Sequence, residues 1–341
     1  MIKRTIGDYH FLADECTGVT MRWGKTAEED PSFAPVPELA DISISNHCTK
    51  GCSFCYRNSS NNHEWLSIDD YCRVLDAMNH PEHGNIFQVA LGGGEPLEHP
   101  DFIEIINETV KRGIVPNFTT NGIHLTEDIC KKIKGKVGAV AISTISMDEI
   151  QCEKIDLLHK NDIEANVHYV LSSNNIDEAI HIARGDFNEK LRDVNAIIFL
   201  TYKPAGRADM DGVIRKSEQL AAFIKTLGDK KIVRPRIGFD ACFVPMLLRY
   251  SIVNIALVDS CEGGYFSVYI DHKMNVMPCS FSGGRDSYSL AEYDFYDIWL
   301  NKFELFRQEH ANKCIVSDCK AHSLCRGCCP YFPEITTCYA C

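Results

Sequence analysis

The sequence predicts an α/β protein: an open, partial (β/α)6 barrel followed by a small cysteine-rich domain. Strand-like and helix-like segments alternate between about residues 40 and 230, and ten of the 17 cysteines lie after residue 241. Alternating βα units place their strands in one parallel sheet with the helices outside it. A closed eight-unit barrel typically takes ~250 residues, so six units in ~190 residues indicate a barrel that is open on one side.

Each unit is predicted from its hydrophobic pattern, with short apolar strands and helices whose apolar residues are three and four apart. The predicted strands are 42–45, 87–91, 115–119, 137–143, 165–171 and 196–201. The predicted helices are 67–78, 101–112, 126–134, 147–159, 176–184 and 216–227. Ser67, followed three residues later by Asp70, marks the start of the first helix, because a serine at that place caps free backbone N–H groups.

The chain divides into three predicted regions. Residues 1–38 are a strand-bearing extension and linker, since short alternating segments precede Pro31, Pro35 and Pro37. Residues 39–235 form the barrel. Residues 236–341 form the cysteine-rich domain, in which the helix pattern fades and a hairpin is predicted around 271–273. Core burial alone does not stabilise so loop-rich a segment, so bound metal is expected to contribute.

Composition excludes several classes of function. Hydrophobic residues make up 45% and charged residues 24%, which fits a soluble globular chain, and the net charge of −12 argues against a nucleic-acid surface. No apolar run approaches the ~18 residues of a membrane span, and the charged N-terminus does not fit a signal peptide, so a cytoplasmic location is expected. In a reducing compartment, 17 cysteines indicate metal binding or redox chemistry.

A loop with three cysteines directly follows the first barrel strand. Cys48, Cys52 and Cys55 lie within eight residues. Three thiolates on one loop can bind one face of a four-iron cluster and leave the fourth iron open. A zinc site completed by a distant ligand such as His47 or His63 is the alternative, and the spacing alone does not separate the two.

A glycine-rich loop, 92–97, follows the second strand at the end of the sheet where barrel active sites form. Glycines let the backbone come close to a ligand, and the carboxylate of Glu95 can accept an ammonium group. A tight βα turn is the alternative for this loop taken by itself.

Together the two loops and the six βα units strongly resemble the radical SAM (S-adenosylmethionine) superfamily over about residues 40–235. In that family the open iron of a [4Fe–4S] cluster binds the amino and carboxylate groups of SAM. One electron then cleaves SAM to methionine and a 5′-deoxyadenosyl radical, which abstracts a hydrogen atom from the substrate. The resemblance implies that Cys48, Cys52 and Cys55 hold this cluster, with Phe54 as part of the cysteine motif.

The resemblance also implies a set of SAM-binding residues at the ends of the strands. They are Gly93, Gly94, Glu95, Pro96, Thr120, Asn121, Ser143 and Arg207, the last in a Pro-x-Gly-Arg-Ala element. The chain departs from many relatives at 144–146, where Thr-Ile-Ser replaces an Asp-Gly pair. No role for an aspartate at that place is therefore carried over.

The C-terminal cysteines resemble those of the SPASM domain, which holds two auxiliary [4Fe–4S] clusters. Their x5 and x3 gaps match, whereas the first gap is x4 instead of x2, and Met274 stands where a glycine is expected. The implied ligands are Cys242, Cys261, Cys279 and Cys329 for one cluster and Cys314, Cys319, Cys325 and Cys341 for the other. Cys328 and Cys338 compete with Cys329 and Cys341. Cys242 is alternatively a free thiol that serves catalysis as a hydrogen donor.

Relatives of the SPASM type mostly modify peptides and proteins, so the resemblance predicts a maturase of a ribosomally synthesised peptide that crosslinks, epimerises or oxidises it. The alternatives are a sulfatase-maturing (formylglycine-forming) dehydrogenase, a small-metabolite radical SAM enzyme, and a zinc-stabilised binding protein without catalysis. Expected partners are the peptide or protein substrate, a separate leader-peptide recognition protein, and an electron donor such as flavodoxin or ferredoxin. Neither nucleic acid nor a membrane is expected as a partner.

Overall fold

A three-stranded antiparallel sheet opens the chain, as the alternating segments predict. Its strands are β1 (Ile2–Ile6), β2 (Tyr9–Ala13) and β3 (Thr20–Trp23), in the order β1-β2-β3. The computed structural model describes residues 1–15, 17–229, 232, 235–250, 252, 254, 258–310, 319 and 325–338. Cys314 and Cys341, two of the predicted cluster ligands, lie outside the described residues.

A second sheet of ten strands forms the centre of the molecule. Its strands are β4 (Leu39–Ser45), β5 (Gln88–Gly93), β6 (Val115–Thr120), β7 (Ala139–Thr144), β8 (Glu164–Leu171), β9 (Ala196–Thr201), β10 (Ile237–Phe239), β11 (Ser267–Ile270), β12 (Asn275–Met277) and β13 (Tyr288–Ser289). The strand order is β10-β9-β8-β7-β6-β5-β4-β11-β12-β13. All pairs from β10 to β11 are parallel, and the last two are antiparallel. The short strands β10 and β11 thus extend the six-stranded parallel sheet of β4–β9, one at each edge.

Six helices follow the six predicted strands in turn, which confirms the alternation. They are α1 (Ile68–Ala77), α2 (Phe102–Lys111), α3 (Glu127–Ile133), α4 (Cys152–Lys160), α5 (Ile176–Arg184) and α6 (Glu218–Gly228). Ser67 caps α1 as predicted, with its Oγ accepting from the N–H of Asp70 at 3.1 Å. No helix among the described residues is both long and apolar enough to cross a membrane.

The fourth helix begins later than the sequence pattern predicts. It starts at Cys152 and not at Met147. The hydroxyl of Thr144 donates to the carbonyl of Ser146 at 2.7 Å, and the N–H of Met147 donates to Glu178 at 2.7 Å. These bonds fold 144–147 into a turn, because they use polar groups that a helix would otherwise engage.

The prediction that helices fade after residue 235 is wrong in part. Helix α7 covers Val244–Arg249, and a π-helical turn at Asp297–Lys302 leads into α8 (Phe303–His310). The apolar side of this second pair packs through Trp299 and Phe303, both fully buried. The hairpin is confirmed, with β11 and β12 paired antiparallel. Met274 in its turn has φ +60°, a left-handed conformation that explains why a glycine is expected there.

The two faces of the parallel sheet differ in polarity, and this positions the site. On β4, Ala40, Ile42 and Ile44 belong to the main hydrophobic core, which the helices cover. Alternation along the strand therefore turns Asp41 and Ser43 toward the inside of the barrel. The inner face is polar, whereas a sheet that only needed to fold would carry apolar side chains there.

Candidate active site

The three-cysteine loop leaves β4 and folds back on itself. The N–H of Cys48 donates to the carbonyl of Ser60 at 3.0 Å, and that of Asn58 donates to the carbonyl of Cys55 at 3.2 Å. All three thiols are half-buried and none is in a disulfide. Burial raises the pKa of the Cys48 and Cys52 thiols. Each thiol therefore stays protonated until a metal ion displaces its proton or an oxidant reacts with its sulfur.

The glycine loop after β5 lies directly against the start of this cysteine loop. The N–H of Gly94 donates to Ser45 at 2.9 Å, and that of Glu95 donates to His47 at 2.8 Å. A Cβ on Gly94 would lie 1.8 Å from the carbonyl oxygen of His47, and Gly93 has φ +108°. The chain itself thus requires both glycines, because no side chain fits between the two loops.

Glu95 joins the ends of two neighbouring strands. Its side chain accepts from the hydroxyl of Thr120 at 2.6 Å, the N–H of Asn121 at 2.7 Å and the N–H of Leu97 at 3.1 Å. The residue is 1% exposed, and burial raises the pKa of its carboxyl in spite of these bonds. That Glu95 receives the ammonium group of SAM stays a prediction; its Oε2 accepts one of these three hydrogen bonds and its Oε1 two.

Asn121 brings the end of β6 beside the thiols. Its side-chain nitrogen lies 4.0 Å from the Sγ of Cys48. Its Oδ1 accepts from the N–H of Ile123 at 2.9 Å, which fixes the amide orientation. The predicted Thr-Asn-Gly element therefore borders the cysteine loop, as does the glycine loop.

Arg207 braces the cysteine loop from the opposite side. Its Nε donates to the carbonyl of Cys52 at 2.8 Å, its backbone N–H to that of Cys55 at 3.0 Å and its Nη1 to that of Ser59 at 2.7 Å. Gly206 has φ +65°, and a Cβ there would lie 2.4 Å from the carbonyl oxygen of Cys55. SAM binding by Arg207 stays a prediction, and in the structure its Nε, Nη1 and backbone N–H donate to the cysteine loop.

Glu98 is a residue of the site that sequence reasoning missed. It accepts from the N–H of Thr49 at 3.1 Å and from its hydroxyl at 2.6 Å. The Nε2 of His47 and the Nε2 of His124 each lie 3.2 Å from its oxygens. The only available signal was its place three residues after Glu95, at the end of the short 3-10 helix Pro96–Glu98.

His47 is fully engaged within the chain, which bears on the possibility of a zinc site. Its Nδ1 accepts from the N–H of His63 at 3.2 Å, so its Nε2 carries the proton that points to Glu98. Both ring nitrogens of His47 thus have partners within the chain, and a zinc site completed by His47 or His63 remains the alternative.

The two remaining predicted contacts lie on the strand side of the site. Ser143 is half-buried on β7, one residue before the strand ends, and pairs in register with His168 of β8. Phe54 packs against a buried apolar cluster of Tyr202, Val213 and Ile335, and Cys242 and Cys329 pack against the same cluster. The middle of the cysteine motif and two C-terminal cysteines therefore share one apolar neighbourhood.

A second group of thiols surrounds a cavity of about 270 Å³ in the C-terminal region. Its lining includes Cys242, Cys261, Cys279, Cys325, Cys328 and Cys329. The structure thus brings together all four cysteines predicted for the first auxiliary cluster, from four separate segments. Cys325, predicted for the second, lines the same cavity, and Cys319 packs against the small apolar cluster of Val244, Leu248 and Cys325. Cys328 and Cys329 both line the cavity, so its geometry allows either of them as a ligand.

The chemistry of these thiols fits an iron–sulfur cluster. Burial raises the pKa of Cys279 to about 12, and a hydrogen bond between the thiols raises the pKa of Cys242 and lowers that of Cys329. Buried thiols of this kind are stabilised when a metal replaces their protons. Among the described residues, no three Cys, His, Asp or Glu side chains converge as the ligands of a single ion would. A four-iron cluster binds each thiolate through a different iron, so it does not need that convergence.

Replacing His168 by Gln should flatten the pH dependence of stability. The imidazole lies on the inner face of β8, with its Nδ1 3.2 Å from the Thr119 hydroxyl, and burial lowers its pKa to about 4. Between pH 6.5 and 4 the unfolded chain binds a proton that the folded chain rejects, so stability falls as the pH falls. From pH 7.5 to 5.0 this histidine contributes a loss of about 2 kcal/mol, by 1.36 kcal/mol per pKa unit.

Urea unfolding of both proteins at these two pH values measures the effect. Between pH 7.5 and 5.0 the free energy of unfolding should fall by about 2 kcal/mol less in the variant than in the parent, since every other titrating group is common to both. Equal losses in the two proteins would show that His168 is charged in the folded chain.

Comparison with known proteins places the site in context. Residues 42–184 match the family model described as the radical SAM superfamily. The chain is 22% identical over 313 residues to mycofactocin maturase MftC of Mycolicibacterium smegmatis, a match that covers 83% of this chain and 75% of that protein. It is 32% identical over 95 residues to a tungsten-containing aldehyde ferredoxin oxidoreductase cofactor-modifying protein of Pyrococcus furiosus, but spans only 26% of its length.

A solved structure shares the fold at low sequence identity. Streptococcus suis SuiB bound to its precursor peptide SuiA superposes with a TM-score of 0.69 at 16% identity, over 91% of this chain and 76% of that chain. The central parallel sheet with its outer helices therefore shares the fold of that structure, and residues 42–184 within it match the radical SAM superfamily model.

Proposed function

This protein contains a radical SAM domain in residues 42–184, and from that premise we propose that it is a maturase of a ribosomally synthesised peptide. The observation that carries the proposal is the contact between two thiol sites. Phe54, inside the three-cysteine motif, packs against the buried cluster of Tyr202, Val213 and Ile335, as do Cys242 and Cys329 of the C-terminal cavity. The rings of Tyr56 and Phe281, which flank the two sites, are in contact, with centroids 4.5 Å apart and planes tilted by 34°.

In this proposal Cys48, Cys52 and Cys55 hold one [4Fe–4S] cluster. When bound, that cluster supplies the electron that cleaves SAM and so generates the 5′-deoxyadenosyl radical. The chain's own part is to fix the loop. Arg207 and Glu98 hold its carbonyl and N–H groups, and Glu95 holds the neighbouring strand ends.

We assign Cys242, Cys261, Cys279 and Cys329 to an auxiliary cluster, because all four line one cavity. An auxiliary cluster suits a maturase, since a net oxidation of the peptide must return an electron after hydrogen abstraction. The second predicted set includes Cys319 and Cys325, which belong to one small apolar cluster, and Cys314 and Cys341 outside the described residues. It remains part of the proposal.

The choice of a peptide substrate is supported by the relatives. MftC is named as a maturase, and SuiB was solved with a precursor peptide. The barrel interior offers polar groups to such a substrate, among them Asp41, Ser43 and His168. Burial raises the pKa of Asp41 to about 6.

A flavodoxin or ferredoxin is the proposed electron donor.

The test is an anaerobic reconstitution followed by assays of metal and product. Iron, sulfide and zinc are measured per chain, and SAM cleavage is followed as 5′-deoxyadenosine. Candidate precursor peptides encoded beside the gene are incubated with the enzyme, and mass spectrometry reads the change in peptide mass. A Cys261→Ala/Cys279→Ala variant is carried in parallel.

About 12 irons per chain should fall to about 8 in the variant. The variant should still cleave SAM but no longer modify the peptide. Peptide modification at the parental rate would contradict a role for the auxiliary cluster. Zinc with little iron would instead support a zinc-stabilised binding protein. SAM cleavage coupled only to a small metabolite would support a small-metabolite enzyme, and coupling only to a sulfatase peptide would support a sulfatase-maturing dehydrogenase.

A further inference from the structure

Lys203 is a buried cation at the edge of the cysteine cavity. It is 6% exposed, and its Nζ donates to Asp240 at 2.9 Å and to the carbonyl of Thr201 at 3.1 Å. Asp240 is itself fixed, because it accepts from the hydroxyl of Thr201 at 2.7 Å and from its N–H at 3.0 Å. The ends of β9 and β10 thus hold one rigid ion pair. Lysine is rarely this buried unless it is paired.

The ion pair has a direction relative to the thiols. Lys203 lines the cavity, together with Cys242 and Cys279, whereas Asp240 is not among its lining residues. The ammonium also lies over the ring of Phe281, 4.4 Å from its centroid. The ammonium therefore favours negative charge on the thiols of Cys242, Cys279 and Cys329, whereas the carboxylate of Asp240 opposes it at Cys242. In so dry a place a charge acts more strongly than it does in water.

We propose that Lys203, held in place by Asp240, raises the reduction potential of the iron–sulfur cluster bound by Cys242, Cys261, Cys279 and Cys329. The inference rests on the proposed function, since it requires that this cavity bind a cluster. A cluster with four thiolates becomes more negative when it takes up an electron, and a fixed cation beside it stabilises the reduced form. Lys203 would then make this cluster the better electron acceptor.

The same segment serves both cysteine sites. Lys203 stands four residues before Arg207, which holds the carbonyls of Cys52 and Ser59. Phe281 contacts Lys203 on one side and Tyr56, next to Cys55, on the other. Lys203, which sets the charge at the C-terminal thiols, and Arg207, which holds the three-cysteine loop, thus lie on one short segment of the chain. This explains why so costly a group as a buried ammonium lies here.

The experiment is a redox titration in which only auxiliary clusters remain. A Cys48→Ala/Cys52→Ala/Cys55→Ala chain is reconstituted and titrated anaerobically, with the reduced clusters followed by electron paramagnetic resonance. The same titration is run with Lys203→Met, Lys203→Arg and Lys203→Met/Asp240→Asn added. Iron per chain is measured for each, so that potentials are compared only at equal loading.

Lys203→Met should shift one midpoint to a more negative potential, since the cation is lost and Asp240 is left unpaired. The double variant should shift the same midpoint less far in the same direction, because it removes both charges. Lys203→Arg should stay near the parent, since it keeps the charge. A second auxiliary midpoint is the internal control and should not move.

A double variant with full iron and the parental midpoint would overturn the inference and leave Lys203 as a structural ion pair. If Lys203→Met binds too little iron for a titration, the midpoint potentials of the double variant and of Lys203→Arg still test the inference. A starting chain that holds no auxiliary iron would instead overturn the proposed function. The iron measurement therefore separates the two failures.

Discussion

Replacing Cys48, Cys52 and Cys55 together by alanine should abolish SAM cleavage. The three thiols share one loop whose backbone is held from two sides, by the glycine loop and by Arg207. No other described thiol replaces them there, because the C-terminal cysteines face their own cavity. Iron should fall from about 12 to about 8 per chain, and 5′-deoxyadenosine formation should drop to background.

Cys72→Ala is the matched control for this variant. Cys72 lies on α1, away from both thiol sites, and its thiol donates to Glu108 at 3.7 Å. It should keep all the iron and full SAM cleavage. If the triple variant kept its iron, or cleaved SAM at more than background, the three cysteines would not be the ligands of the SAM-binding cluster.

The second large effect is expected from Gly206→Ala. The added methyl would lie 2.4 Å from the carbonyl oxygens of Cys55 and Tyr56, so the Arg207 segment and the cysteine loop must separate. Loss of this contact frees the loop that carries the thiols. We expect the chain to lose most of the iron bound by Cys48, Cys52 and Cys55, along with SAM cleavage, even if the barrel stays folded.

Gly113→Ala isolates the steric part of that effect. Gly113 has φ +70°, close to the +65° of Gly206, but a Cβ there meets no atom within 4 Å. Both variants therefore carry the same left-handed strain of roughly 1–2 kcal/mol. Thermal unfolding measures the shared strain, and iron content measures the difference. Equal iron in the two variants would show that the close contact between Gly206 and the cysteine loop is not needed for iron binding.

Local pattern determined the outline of the barrel. The six strands and helices between β4 and α6 were predictable because each buries one face against the next, and burial leaves a period in the sequence. The helix α5 has the predicted limits, Ile176–Arg184, since apolar residues on one side and Gly185 at its end mark it plainly. The start of α4 was not predictable, because a hydrogen bond from the N–H of Met147 to Glu178, 31 residues away, decides it.

The sequence also indicated where chemistry resides, though not what each residue does. The three cysteines and the glycine loop stand out, since their spacing has few other physical uses. The hydrogen bonds that Glu95 and Arg207 make could not be predicted from the sequence. Each is a polar side chain near a predicted ligand, and only the fold shows that their atoms are already bound to Thr120, Asn121 and Cys52.

The sequence by itself determined that this protein is an α/β chain with two sets of cysteines, because strand period and cysteine spacing are local properties. Tertiary structure decided which cysteines meet. Cys242, Cys261, Cys279 and Cys329 come from four segments spread over 88 residues of the chain, and β11, which lies between Cys261 and Cys279, is anchored to the barrel by its pairing with β4. It also decided that Lys203 faces them, since the direction of a buried side chain depends on neighbours that are distant in sequence.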